Sequence, residues 1–157
     1  MTATTARPGL TEGVTNEFTL IFRVRPGAAP QLRAALERSK EDPRRQESSE
    51  RISTLHDSRW VLFDDDTRLL FATNFDGDWD QYIDDFAAIV PGIFYALLQY
   101  VEGYPGIKDS TVKDFVAAHQ ATAALYFRAY PNASAKEIKK ALRVYRSFEA
   151  LLDEASS

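Results

Sequence analysis

The chain has 157 residues, about the size of one ordinary domain, and 45% of them are apolar while 27% are charged. It contains no cysteine, which excludes disulfides, iron–sulfur clusters, thiolate zinc sites and cysteine nucleophiles. Its net charge of −4 disfavours nucleic-acid binding, and no apolar run approaches the roughly 20 residues that span a bilayer. The composition, with no apolar leader at the N-terminus, therefore predicts a cytoplasmic protein.

The first half of the chain predicts a strand, a helix and a hairpin. After a polar stretch, interpreted as a flexible arm over residues 1–16, a single α+β domain is expected over residues 17–157. Residues 18–25 alternate as in a strand, and residues 30–40 have the apolar spacing of a helix. The charged residues 41–52 predict a solvated connection, with a basic contact patch as the alternative. Two β-rich runs then flank Asp64-Asp65-Asp66, which predicts a hairpin tip in preference to a metal site.

The second half predicts mostly helices and one further strand. Asp78 is a suitable N-cap for a helix that Pro91-Gly92 interrupts, and His119 is expected to end a later short helix. Residues 122–130 alternate and predict the last strand, and Ser134-x-x-Glu137 is a capping box for the C-terminal helix. The apolar stripe of that helix consists of Ile138, Leu142, Tyr145, Phe148 and Leu152.

With its extra helices set aside, this order of elements is the ferredoxin-like βαββαβ arrangement, an antiparallel sheet of four strands with helices on one face. Thr19, Ile21 and Arg23 would lie on the other face, and this mixed surface is expected to be covered. From residue 18 to residue 130 the chain resembles the dimeric α+β barrel superfamily. That resemblance implies a homodimer through the sheet faces and small-molecule sites between sheet and helices.

A second resemblance lies in two runs, Leu55-His56-x-x-Arg59-Trp60 and the stretch from Leu69 to Tyr82 with its Asn74-Phe75-Asp76-Gly77-Asp78-Trp79 core. They are similar to loosely described bacterial proteins of this fold, some of them peroxidase-like. The resemblance implies an oxidoreductase and makes haem a candidate cofactor. No permanent metal cage of protein ligands is expected, since cysteine is absent and histidine is scarce.

The residue types suited to catalysis are few. His56 is predicted as an acid/base or haem-facing residue, Arg59 as its electrostatic partner and Asp76 as the group that orients it. In an ideal strand, positions three apart face opposite sides, so His56 and Arg59 share a pocket only if the strand is bulged or if they lie at a frayed strand end. A half-exposed edge histidine and ordinary turn chemistry at Asp76 are the structural alternatives.

Further residues are candidates for substrate binding, and each has a structural alternative. Those on the strands would line an anion-binding pocket if they face the uncovered side of the sheet, or make polar contacts if that side is a dimer interface. Those at the junction between the second hairpin strand and the next helix would bind substrate, or serve capping and turn chemistry. These candidates are Arg23, Asn74, Trp79, Tyr82, Tyr126 and Arg128. The leading hypothesis is a small-molecule enzyme acting on a hydrophobic substrate. The alternatives are a ligand-binding or accessory protein of a redox enzyme, and a structural homodimer.

Overall fold

The computed structural model describes residues 9–156, which form four strands and six helices within that range. The strands are β1 (Thr11–Glu12), β2 (Thr15–Arg23), β3 (Leu55–Phe63) and β4 (Arg68–Asp76). The helices are α1 (Ala29–Glu41), α2 (Arg45–Arg51), α3 (Trp79–Ile89), α4 (Pro91–Leu98), α5 (Val112–Ala118) and α6 (Ala135–Ser156).

The four strands form one antiparallel sheet in the order β1-β2-β4-β3. The long strands β2 and β4 pair along their whole length, and β3 pairs with β4 as the predicted hairpin. Its tip holds Asp64, Asp65 and Asp66 at positive φ, a conformation that aspartate tolerates better than most residues. The predicted α+β class, an antiparallel four-stranded sheet with helices, is confirmed.

One face of the sheet carries the hydrophobic core. Phe18, Leu20 and Phe22 of β2 point to this face, and side chains of α1, α3, α4 and α5 pack on them. The aromatic contacts are close: the rings of Phe75 and Tyr82 stack with their centroids 4.0 Å apart and 5° between their planes. The opposite face, which we call the open face, carries the other half of each alternating strand.

The predicted last strand is wrong. Residues 122–130 contain no strand, and the fourth strand of the sheet is the short β1 at the N-terminal side. Two isolated backbone hydrogen bonds occupy the rest of this edge of β2. The Ile21 N–H donates to the His119 carbonyl, and the Ala121 N–H donates to the Thr19 carbonyl. Residues 122–130 therefore have the residue pattern of a strand but no neighbouring strand to pair with, and Leu125 and Phe127 are exposed.

The predicted N-terminal arm is also wrong in the part that the structure describes. The short strand β1 forms a hairpin with Thr15 and Asn16 at the start of β2, and Thr15 is fully buried. Residues 1–8 of the arm lie outside the described residues. Within the predicted polar connection 41–52, residues 45–51 form α2, in which Gln46 donates a hydrogen bond to Glu50 one turn further along.

The helix boundaries follow local capping chemistry. The Asp78 carboxylate accepts a hydrogen bond from the Gln81 N–H at the start of α3, as predicted. The capping box at α6 is present as well, because Glu137 Oε2 accepts the Ser134 N–H and Ser134 Oγ accepts the Glu137 N–H. Among the described residues, no helix is both long and apolar enough to cross a membrane.

The packing of Phe75 and Tyr82 predicts two different costs of substitution. Phe75→Ala removes a fully buried ring and should lower the free energy of unfolding by about 3–5 kcal/mol. Tyr82→Phe keeps the stack and loses only the 2.5 Å hydrogen bond with Thr73 Oγ1, at a cost of about 1 kcal/mol. Urea unfolding of both variants measures the difference, and equal costs would contradict this account of the core.

Candidate functional site

A β-bulge in β3 sets the direction of the candidate catalytic side chains. Leu55 pairs with Phe75 and faces the core, whereas Asp57 pairs with Asn74, so His56 is the additional residue of the bulge. Arg59, paired with Ala72, then lies on the same open face as Asp57. The bulge thus supplies the condition under which His56 and Arg59 share one face.

The Asp76 carboxylate is the centre of a buried hydrogen-bond network at the end of β4. Its Oδ1 accepts from His56 Nε2 at 2.7 Å and from Thr15 Oγ1 at 2.6 Å, and its Oδ2 accepts the Ala135 N–H at 2.6 Å. Burial acts to raise the pKa of Asp76, but the hydrogen bonds from Thr15, Ala135 and His56 together lower it below its ordinary value. Asp76 is therefore held as a carboxylate by donors from β2, β3 and α6.

Arg128 completes the network from the α5–α6 connection (residues 119–134). Its Nη1 donates to Thr15 Oγ1, and its Nη2 lies 3.4 Å from His56 Nδ1 and 3.3 Å from the Ala133 carbonyl oxygen. A carboxylate only accepts and a guanidinium only donates. A neutral His56 in this setting therefore carries its proton on Nε2 and has the lone pair on Nδ1.

Four of the predicted site residues line one shallow pocket on the open face. The pocket has a volume of about 380 Å³ and is lined by His56, Asp57, Asn74 and residues 126–130. Its lining includes Tyr126, whose hydroxyl is buried and has no hydrogen-bond partner among the described residues. Burial raises the pKa of Tyr126, Arg128 opposes that rise, and three nearby carboxylates add to it, so the hydroxyl keeps its proton.

Glu17, which the sequence did not single out, holds the α5–α6 connection against the open face. It is 5% exposed, and its Oε1 accepts the N–H groups of Leu10 and Ala123, both at 2.9 Å. Thr15 was missed as well, because it was placed in the arm. The signal for both residues in the sequence is the series Thr15, Glu17 and Thr19 at alternate positions of β2, which marks one face of the strand for polar contacts.

The other predicted site residues do not join this pocket. Arg59 and His56 both border a broad groove of about 760 Å³ along the outer edge of β3, but Arg59 is absent from the smaller pocket. Arg23 lies at the far end of β2, paired with Arg68. Trp79 and Tyr82 are buried in the core on the opposite side of the sheet, so they position α3 and do not face the open-face pocket.

A further cavity, which we call the helix-side cavity, lies on the helix side of the sheet. It has a volume of about 600 Å³, and its apolar wall includes Trp60, Phe71, Phe86 and Phe94. Its rim is formed by the end of α1, by α2 and by the residues between them, with four arginines against two carboxylates. These rim residues are Arg38, Asp42, Arg44, Arg45, Glu47 and Arg51.

The open-face residues do not fit the haem that the resemblance implies. His56 Nε2 already lies within hydrogen-bonding distance of Asp76 and Thr15, and its Nδ1 faces the positive charge of Arg128. An iron ion bound at Nδ1 would lie beside the Arg128 guanidinium, and these two positive charges repel each other. Among residues 9–156, no group of three or more His, Asp or Glu side chains is arranged to hold a metal ion.

Comparisons with known proteins yield one structural likeness. Neither a protein-family model nor a curated protein sequence matches the chain. Among solved structures, the chain is similar to tetracenomycin F2 cyclase from Streptomyces glaucescens, described as a type-II polyketide cyclase. The TM-score is 0.44 and the identity 14%, over 72% of this chain and 97% of that chain.

The lowered pKa of Asp76 predicts a pH-dependent effect on stability. Asp76→Asn removes a carboxylate whose pKa is lower folded than unfolded, where it is about 4. The wild type should therefore exceed the variant in free energy of unfolding most above about pH 5, and this lead should shrink as the pH falls below about 4. Urea unfolding from pH 7 to pH 3 measures the difference.

Asp65→Asn is the matched control, because Asp65 lies exposed at the hairpin tip, where asparagine also tolerates the positive φ. Its difference from the wild type should stay small across the pH range. A constant lead of the wild type over Asp76→Asn down to pH 3 would contradict the network as the source of the shift.

Proposed function

We propose that this protein is a cytoplasmic small-molecule enzyme that moves a proton on a carbonyl substrate bound at the open face. The observation that carries the proposal is the Asp76–His56 pair beside a pocket that also holds a cation and an unpartnered hydroxyl. The Asp76 carboxylate orients Nε2, and Nδ1 becomes the general base once the oxygen of a bound substrate takes over the Arg128 N–H that lies 3.4 Å from it. This arrangement favours acid–base chemistry over a redox or haem-linked reaction.

Each pocket residue has one role in the proposed reaction. His56 Nδ1 removes a proton from the carbon next to a carbonyl group, while Asp76 fixes the ring and stabilises the imidazolium that forms. The negative charge that develops on the carbonyl oxygen is stabilised by Arg128 and by a hydrogen bond from the Tyr126 hydroxyl. Return of the proton from His56 restores the enzyme. Phe127 and Tyr130, which border the pocket, supply apolar contacts for a hydrophobic substrate.

His56→Gln tests the proposed base with little change to the network. Glutamine retains an N–H donor for Asp76 but has no basic nitrogen, so the exchange rate should fall at least about a hundredfold. The probe is 4-acetylbenzoate in deuterated buffer, in which exchange of the methyl protons is followed by NMR. Thermal unfolding monitors the fold of the variant. Unchanged exchange in His56→Gln would remove His56 from the reaction.

Arg128→Lys and its control separate substrate binding from general charge effects. Lysine keeps the charge but loses the planar donor set that spans Thr15 and His56, so KM for the probe should rise. Arg23→Lys, at the far end of the open face, should leave the kinetics unchanged. Equal effects of the two variants would mean that Arg128 has no specific contact with the substrate.

The helix-side cavity supports a second candidate function, binding of an amphipathic acid without catalysis. Its apolar wall and its arginine-rich rim match a ligand with an aromatic or aliphatic body and one anionic group. This candidate needs no histidine, since His56 lies on the other face of the sheet. It corresponds to a ligand-binding or accessory protein.

Ser58→Leu tests this second candidate, because Ser58 lines the cavity and a larger apolar side chain fills it. Calorimetric titration with 1-naphthoate should show at least about tenfold weaker binding in Ser58→Leu, and Arg45→Ala at the rim should weaken it less. Ser110→Leu, in an exposed loop, is the control. Unaltered naphthoate binding in Ser58→Leu would exclude the cavity as the binding site.

A further inference from the structure

Helix α6 leaves its apolar side uncovered in the single chain. From residue 140 to residue 156 every residue is exposed, and Ala135 is the buried residue of the helix. Six large apolar side chains on this stretch are 45–61% exposed, namely Leu142, Val144, Tyr145, Phe148, Leu151 and Leu152. A helix of 22 residues gains most of its stability from packing of its apolar face, so this face requires a partner.

We propose that α6 of a second copy of this chain packs antiparallel on α6 and forms a two-helix dimer interface. The charges on the helix argue for this occupant. Residues 136–146 carry five basic side chains against the single acidic Glu137, namely Lys136, Lys139, Lys140, Arg143 and Arg146. Residues 147–156 carry three acidic side chains, Glu149, Asp153 and Glu154, and no basic one. An antiparallel pair places each basic half beside an acidic half, whereas a parallel pair places like charges together.

The apolar positions have the symmetry that such a pair requires. Ile138 and Leu152 each lie seven residues from Tyr145, and Leu142 and Phe148 each lie three residues from it. A two-fold axis next to Tyr145 therefore brings each apolar side chain opposite another one in the second copy. The seven-residue repeat is the spacing of helices that pack side by side as a coiled coil.

This interface also reaches the first turn of α6, which contacts Asp76. In the antiparallel pair, the acidic end of the partner subunit's α6 lies beside Lys136 and the first turn of α6. That turn begins with Ala135, whose N–H binds Asp76. The dimer contact thus stabilises the first turn of α6, which positions the Asp76 carboxylate. The proposed dimer does not depend on the proposed reaction.

Disulfide trapping tests the antiparallel register on a chain that has no cysteine of its own. Tyr145→Cys, next to the axis, should cross-link to itself under mild oxidation. Leu152→Cys alone should not, because the two copies of position 152 would lie about 20 Å apart. A mixture of Leu152→Cys and Ile138→Cys chains should cross-link. Efficient self-linking of Leu152→Cys would indicate a parallel pair and overturn the proposal.

Light scattering on the uncross-linked chain tests the interface itself. The wild type should have twice the 17.7 kDa chain mass at micromolar concentration, and Tyr145→Lys should be a monomer with a folded sheet by near-ultraviolet circular dichroism. Lys140→Glu with Arg143→Glu should dissociate the dimer, as should Glu149→Lys with Asp153→Lys, and mixing the two variants should restore it. A monomeric wild type, or a Tyr145→Lys dimer held through another surface such as the open face, would overturn the proposal.

Discussion

The placement of one carboxylate, that of Asp76, determines how the ends of the chain meet at the sheet. Its two oxygens accept hydrogen bonds from β2, β3 and the first turn of α6, so three separate segments depend on a single group. Burial opposes the charge, and the hydrogen bonds from these donors outweigh it and keep the pKa of Asp76 below its ordinary value. The geometry of His56 and the direction in which α6 leaves the sheet are therefore coupled.

The two faces of the sheet carry different chemistry because each strand alternates. The helix side is filled by edge-on aromatic rings, among them Phe71, Phe86 and Phe94, which also line the helix-side cavity. The open face holds Thr15, Glu17 and Asp76, which are satisfied by one another and by the α5–α6 connection. Apolar packing thus stabilises the helix side of the sheet, and hydrogen bonds hold the α5–α6 connection on the open face.

Local patterns predicted the local structure well. The β3–β4 hairpin, the Asp78 cap of α3 and the Ser134–Glu137 capping box all depend on residues close in sequence. The contact between His56 and Asp76 could be predicted because the hairpin joins the two strands that carry these residues. The bulge at His56 has no local signature, since it is defined by the partner strand.

The predictions were wrong where contacts between distant segments determine the structure. Residues 122–130 alternate like a strand, yet β1 and residues 119–121 occupy the edge of β2 where a fourth strand would pair. Thr15 is polar and follows a polar stretch, so its burial depends on Arg128 and Asp76, more than 60 residues further along the chain. Trp79 and Tyr82 follow the turn that suggested a site, but helical periodicity directs both rings to the core.

The long sequence separation within the Thr15 network has a consequence for the order of folding. The β3–β4 hairpin closes a short loop, whereas the Thr15–Arg128 contact joins residues 113 positions apart and closes one of the longest loops in the chain. Local pairing is therefore favoured early, and the polar network assembles last, when both chain ends reach a formed sheet. An incompletely folded chain would then have a native hairpin and no pocket, and amide exchange would be slowest in β4 and fastest in the α5–α6 connection.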